Sequence, residues 1–159
     1  MGILVDYVEP KHPAQVKLDH VNKLLALESA IKKDIPEEDR LTEEGNTTHW
    51  HCEGAYVREF FLPKGHVVTG EIHKYSCINI LLQGKIKLVQ SDGERIVEAP
   101  HIYIAQPYEK KALYALEDTI FLNVHATEEQ DPQKLREQFT VPPEQYIAQL
   151  TEETRLCLG

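Results

Sequence analysis

The apolar positions of this chain change their spacing twice. Between Pro13 and about Lys33, Leu18, Val21, Leu24, Leu25, Leu27 and Ile31 recur mostly at intervals of three and four. That spacing puts them on one stripe of an amphipathic helix lying against something. Pro13 suits the first turn of such a helix, where its missing N–H costs nothing. The stretch 34–48, DIPEEDRLTEEGNTT, is acidic, holds Pro36 and Gly45 and has no period, so it reads as a surface loop or linker. After it the spacing becomes two. HWHCE, AYVREFFLP, GHVVTGEIHKY, CINILLQ, KIKLVQ, RIVEA, HIYIAQ, KKALYAL and TIFLNVHA predict short strands, divided at Gly84, Ser91-Asp92-Gly93, Pro100, Pro107 and Glu117-Asp118. Short strands with a turn about every ten residues predict a mainly β sandwich or barrel rather than a parallel α/β sheet.

Past Thr127 the alternation stops. Asp131-Pro132 opens a short helix, Pro142-Pro143 breaks it, and a second helical turn or two follows, packed on the outside of the barrel. Residues 1–12 read as an extended arm whose apolar Ile3–Val8 suits a strand added to a partner's edge. The expected division is therefore an arm, helix and acidic loop over 1–48, a barrel over 49–127, and a short helical tail over 128–159.

A chain of 159 residues supports one domain with one sizeable core. No apolar run approaches the roughly 20 residues of a membrane span, and the first residues do not have the pattern of a secretion signal. The expectation is no membrane partner and residence in the cytoplasm. The net charge of −9, with no basic block longer than a lysine pair, disfavours polymeric nucleic acid as a partner. Cys52, Cys77 and Cys157 are odd in number and lack a CxxC spacing, which argues for reduced thiols rather than a disulfide scaffold or closed thiolate zinc site.

Gly65, Glu71, His73, Cys77 and Gly84 stand at the spacing of the first cupin motif. DGERIVEAPHIYIAQPYEKKALYALED is similar to the second motif. More closely, YVREFFLPKG, GEIHK, NILLQG, PYEKK and NVHATEEQD resemble small cupins encoded largely by bacteriophages. Together the two motifs cover about Tyr56 to Thr127, close to half the chain. The resemblance implies a single cupin jelly-roll barrel with a ligand at its mouth, often in a homodimer, in the host cytoplasm if phage-encoded. It supplies no activity. The motif's ligand slots hold Glu71, His73 and Cys77. The fourth falls at Lys110, Lys111 or Ala112, and a protonated ammonium has no lone pair to give.

Glu71 and His73 are two apart on a strand and share a face; Cys77 joins them if the strand stays regular past Tyr75. With His125 they would hold one divalent metal (zinc, iron, nickel or manganese). The alternative has Glu71 solvated, Cys77 a small buried hydrophobe and His73 hydrogen-bonded inside the barrel. On TIFLNVHA, Phe121, Asn123 and His125 share one face against Ile120, Leu122 and Val124, and the polar face is expected inward near His73. Lys110 and Lys111 point to opposite faces, and the inward one would attract an anion. Tyr75, Tyr103 and Tyr114 are candidates for stacking at a rim. His49 and His51 share an edge-strand face and are expected to meet solvent.

Three readings stay open. The first is a small-molecule binder taking a polar or anionic metabolite or nucleotide through His73, Glu71, Lys111, His125, Asn123 and Tyr114. The second is a metal-dependent cupin enzyme of isomerase, lyase or dioxygenase type, with the metal on His73, Glu71, Cys77 and His125. The third is a non-catalytic interaction or virion accessory protein. No GxSxG, HExxH or phosphate-cradling glycine loop points elsewhere.

Overall fold

The computed structural model describes residues 9–158, so the expected arm at Ile3–Val8 lies outside the described residues. Helix α1 (Pro13–Asp34) has Pro13 in its first turn, and His12 Nδ1 accepts the Ala14 amide at 3.2 Å. Lys32 and Lys33 fall in its last turn, where the helix dipole favours cations, and the chain leaves at Ile35, just before Pro36. The acidic stretch carries more structure than expected, a 3₁₀ turn at Glu37–Asp39 and a one-turn helix α2 (Glu43–Asn46) capped by Thr42 Oγ1.

Eleven strands follow: β1 (Thr47–Cys52), β2 (Ala55–Leu62), β3 (Val67–Thr69), β4 (Ile72–His73), β5 (Cys77–Gln83), β6 (Lys85–Gln90), β7 (Gly93–Glu98), β8 (His101–Ala105), β9 (Ala112–Ala115), β10 (Thr119–Ala126) and β11 (Thr140–Val141). Nine of them build a five-stranded sheet in the order β1-β2-β10-β5-β8 and a four-stranded sheet in the order β3-β9-β6-β7, and β4 and β11 form a separate pair, every pairing antiparallel. The two inner faces close on each other as a jelly-roll barrel. Gly84 carries the chain from β5 into β6, one sheet to the other, at φ +90°; a Cβ there would collide with the Asp118 carbonyl oxygen. Only glycine fits that crossing.

One half of the barrel interior is apolar: Phe60, Leu62, Leu81 and Phe121 from the five-stranded sheet meet Ile86, Leu88, Val97, Leu113 and Ala115 from the other. A second core lies outside the barrel, where α1 packs on α4 (Pro143–Leu158) over Ile72 and Val141. The tail is therefore more than an outer cover. After α3 (Pro132–Phe139), β11 pairs with β4, aligning Thr140 with His73 and Val141 with Ile72. Pro143 begins a sixteen-residue helix rather than a turn or two, because a proline at the first position is preorganised for it.

Candidate functional site

The inner face of the five-stranded sheet reads as rows across the strands. The row Phe60, Phe121, Leu81 belongs to the apolar core. One step along, Arg58, Asn123, Asn79 and Tyr103 align across β2, β10, β5 and β8. At the end of the sheet stand Tyr56 opposite His125, and Cys77 opposite Ala105. Strand parity dictates this arrangement, since inward positions recur every second residue along Cys77–Asn79–Leu81 and Phe121–Asn123–His125.

β4 supplies the remaining imidazole. Ile72 is buried under the helical layer, so His73, one residue on, faces the barrel. The His73 and His125 rings stack with centroids 5.4 Å apart, and Cys77 Sγ lies 3.9 Å from His73 Nδ1. One ligand atom from each of His73, Cys77 and His125 falls within 4.8 Å of the others. Tyr56 stacks on His125 at 5.9 Å and Phe139 of the tail lies against it at 4.4 Å.

Burial, followed by the Lys111 charge and then His125 and Arg58, pushes the His73 pKa down to about 3. Burial, then Lys111 and Arg58, pushes His125 down to about 4. Both rings are neutral at pH 7 and keep a lone pair for coordination. Burial raises the Cys77 thiol, opposed by Lys111.

Lys110 and Lys111 are both buried, at 3% and 8% exposure, on opposite sides of the chain. Lys110 Nζ pairs with Glu28 of α1 at 2.6 Å and donates to the Gly70 carbonyl at 3.1 Å. Lys111 turns into the barrel, its Nζ 4.9 Å from the centre of the Phe121 ring and 5.9 Å from that of Tyr103. Among the described residues no carboxylate stands within ion-pair distance of it. Burial lowers its pKa to about 8, with the Cys77 charge opposing.

Asn123 Nδ2 donates to Asn79 Oδ1 at 2.5 Å, and the Cys77 thiol donates to the same oxygen at 3.3 Å. Asn79 Nδ2 and the Tyr103 hydroxyl are buried with no partner among the described residues. A cleft of about 340 Å³, lined by Gly54, Ser76, Ile104 and Val124, reaches this end of the barrel at Cys77 and His125.

The structure thus brings His73, Cys77, His125, Asn123 and Lys111 together and leaves two expected residues outside. Glu71 does not share the His73 face. It lies before β4 in an irregular stretch, and its exposed carboxylate pairs with Arg136 of α3 at 2.5 Å. Tyr114 is exposed between inward Leu113 and Ala115. It is three positions on from Lys111, an odd separation, so the two point to opposite faces. Asn79, Tyr103, Phe121 and Phe139 complete the surroundings. Asn79 was readable as the residue two beyond Cys77 on the same strand face; Phe139 was not, because no local pattern ties the tail to β4. His49 bonds the Tyr56 hydroxyl at 2.7 Å and His51 stacks on the Tyr56 ring at 4.9 Å, away from the cluster of three donors.

No family model matches the chain, and no curated protein does. Among solved structures the chain is similar to KdgF from Halomonas sp. at 16% identity over 58% of this chain and 87% of that one, with a TM-score of 0.47. It is similar to a cupin 2 domain-containing protein from Halorhodospira halophila at 13% identity over 73% and 80%, with a TM-score of 0.48. A cupin superfamily protein from Desulfitobacterium hafniense matches at 13% identity over 60% and 96%, with a TM-score of 0.43. The jelly-roll assignment itself follows from the strand order and the two facing sheets described above.

Proposed function

We propose that this is a cupin-type small-molecule-binding protein whose site is built around one divalent transition metal held by His73, Cys77 and His125. The observation that carries this reading is the convergence of two neutral imidazoles and a thiol within 4.8 Å, with Cys77 and His125 reached by a cleft. The donor set fits. Tetrahedral zinc, with bonds of about 2.3 Å to sulfur and about 2.0 Å to nitrogen, sets an S···N edge of roughly 3.5 Å, close to the 3.9 Å between Cys77 Sγ and His73 Nδ1. Imidazole suits zinc, iron and nickel and thiolate suits zinc, whereas manganese prefers oxygen ligands and fits this set least well. Three protein ligands leave a coordination position open, the arrangement of sites that act on a bound molecule rather than only hold a fold together. When bound, such a metal supplies a Lewis acid that polarises a carbonyl or lowers the pKa of water.

The chain's own groups supply the rest. Asn123 fixes the Asn79 amide, Phe139 and Tyr56 pack against the His125 ring, and Lys111 brings to the barrel interior a positive charge that favours a polar or anionic ligand. In a phage-encoded setting that ligand would be a host metabolite or nucleotide. Metal analysis of purified protein tests the reading. Near one equivalent of a transition metal is expected, lost in His73→Ala and Cys77→Ser and kept in Glu71→Gln. Metal at wild-type level in both of the first two variants would overturn it.

We also propose that the chain forms a homodimer through the outer face of the five-stranded sheet. Ile104, Ile78, Val124, Val57 and Trp50 form one cross-strand row on that face, and Ile102, Ile80 and Leu122 form the next. Ile102 and Ile104 are 67% and 63% exposed. The face measures about 24 Å by about 26 Å at ordinary strand spacing, on the scale of the roughly 800 Å² each partner gives a stable interface. In a chain of net charge −9 it is nearly free of charge, with Glu59 accepting from Trp50 Nε1, so a second copy meets least repulsion there. Light scattering should give twice the chain mass, and Ile102→Lys with Ile104→Glu should halve it while circular dichroism is unchanged. A wild-type monomer at micromolar concentration contradicts it.

A further inference from the structure

We infer that the barrel holds a carboxylate-recognition subsite formed by Lys111, Asn79 and Tyr103, two residues deeper than the donors at its mouth, and that the ligand is a small monocarboxylic acid. The inference rests on the proposed function in placing a ligand inside the barrel, but on different groups.

The argument starts from what is left unmatched. A buried ammonium without a counter-charge is costly, and native proteins pair such groups. Lys110 follows the rule through Glu28 and Gly70. Lys111, one residue away and as well hidden, does not; it faces only aromatic rings among the described residues. Asn79 and Tyr103 sit opposite each other on β5 and β8, and each buries a polar group with no partner. Buried polar groups are satisfied in nearly every folded protein. Two such exceptions beside an ammonium without a counter-charge therefore describe the complement of a missing group.

All three can donate: an ammonium, an amide NH₂ whose oxygen already accepts from Asn123, and a phenol. The missing group is rich in acceptors and negatively charged. Its charge is one rather than two. The guanidinium in the Asn79 row, Arg58, is already held by Glu43, which leaves Lys111 as the free cation among aromatic walls in the described residues. A phosphate dianion is usually met by several cations or a row of backbone amides, whereas one ammonium with two neutral donors matches a carboxylate. Gly70 contributes by absence: a Cβ there would come within 3.3 Å of Lys111 Cγ, so the missing side chain lets the lysine stem lie flat and direct Nζ inward.

Titration calorimetry with acetate, butyrate and benzoate tests this, using butyramide as the neutral match and inorganic phosphate as the dianion. Each is run on chelator-treated and on zinc-loaded protein. The carboxylates should bind both forms, and butyramide and phosphate neither. Lys111→Met should weaken carboxylate binding roughly 10- to 100-fold and Tyr103→Phe about three- to tenfold. If either variant fails to fold, the wild-type protein still decides: butyrate should raise its melting temperature at constant ionic strength and butyramide should not. Equal binding of butyramide, tighter binding of phosphate, or unaltered carboxylate affinity in Lys111→Met would each overturn the inference. Carboxylate bound only by zinc-loaded protein would also overturn it while leaving the metal reading standing. Carboxylate binding in a protein that takes up no metal would do the reverse.

Discussion

Lys110 and Lys111 are adjacent, both hidden from water, and lie in two regions that treat the same charge in opposite ways. Under α1, Lys110 meets the Glu28 carboxylate. Burial works against that carboxylate, yet the hydrogen bonds of Lys110 and Thr69 and the Lys110 charge hold it below the ordinary pKa. Inside the barrel, Lys111 meets the faces of the Phe121 and Tyr103 rings, and its charge helps hold both imidazoles neutral. The first region is a structural joint between helix and sheet. The second keeps a polar set whose partners come from outside the chain. Burial alone separates nothing here; what separates the two is whether the protein supplies the counter-charge.

Breaking that contrast gives the largest expected effect. Glu28→Gln strands the Lys110 ammonium and should cost about 3 kcal/mol in urea unfolding. Lys111→Met should move stability the other way, a gain of about 1–2 kcal/mol, because it removes a buried charge that has no partner to lose. A loss of similar size in both variants would mean that Lys111 is a structural joint as well.

The imidazoles give the next effect. In chelator-treated protein, His73 and His125 titrate near 3 and 4, against an ordinary value of 6.5. Between those values the unfolded chain binds protons that the folded chain refuses. Stability should therefore be full above about pH 6.5 and fall as the pH drops toward 4 and below. His125→Phe should flatten part of that slope in pH-dependent thermal melts.

Gly70→Ala tests the close approach of the β3–β4 break to the lysine stem. The contact at 3.3 Å is tight but not prohibitive, so a loss of about 1 kcal/mol is expected, with Lys111 displaced and carboxylate affinity lowered a few-fold. The smallest effect belongs to Glu71→Gln. Its exposed pair with Arg136 should be worth less than about 1 kcal/mol.

Much of the barrel was legible from period and punctuation. TIFLNVHA placed Phe121, Asn123 and His125 on one face, and the jelly-roll puts that face inward. The alternation of CINILLQ carries Cys77 and Asn79 inward together. What failed to read was a failure of regularity. GHVVTGEIHKY looked like one strand, but it breaks at Gly70-Glu71 into β3 and β4, which join different sheets, and the break turns Glu71 out to Arg136. Tyr114 was expected in the same ligand site as Lys111, although their odd separation puts them on opposite strand faces. The pairing of β11 with β4 is a long-range contact between segments with no shared local signal, so Phe139 emerged only in three dimensions.

The central claim is that His73, Cys77 and His125 hold a metal, and cobalt(II) tests it most directly. Added to chelator-treated protein, it should saturate at one equivalent with near-ultraviolet sulfur-to-cobalt charge-transfer absorption. That absorption should vanish in Cys77→Ser, and the stoichiometry should collapse in His73→Ala. Saturation without the sulfur band, or no uptake by the wild-type protein, would contradict the account.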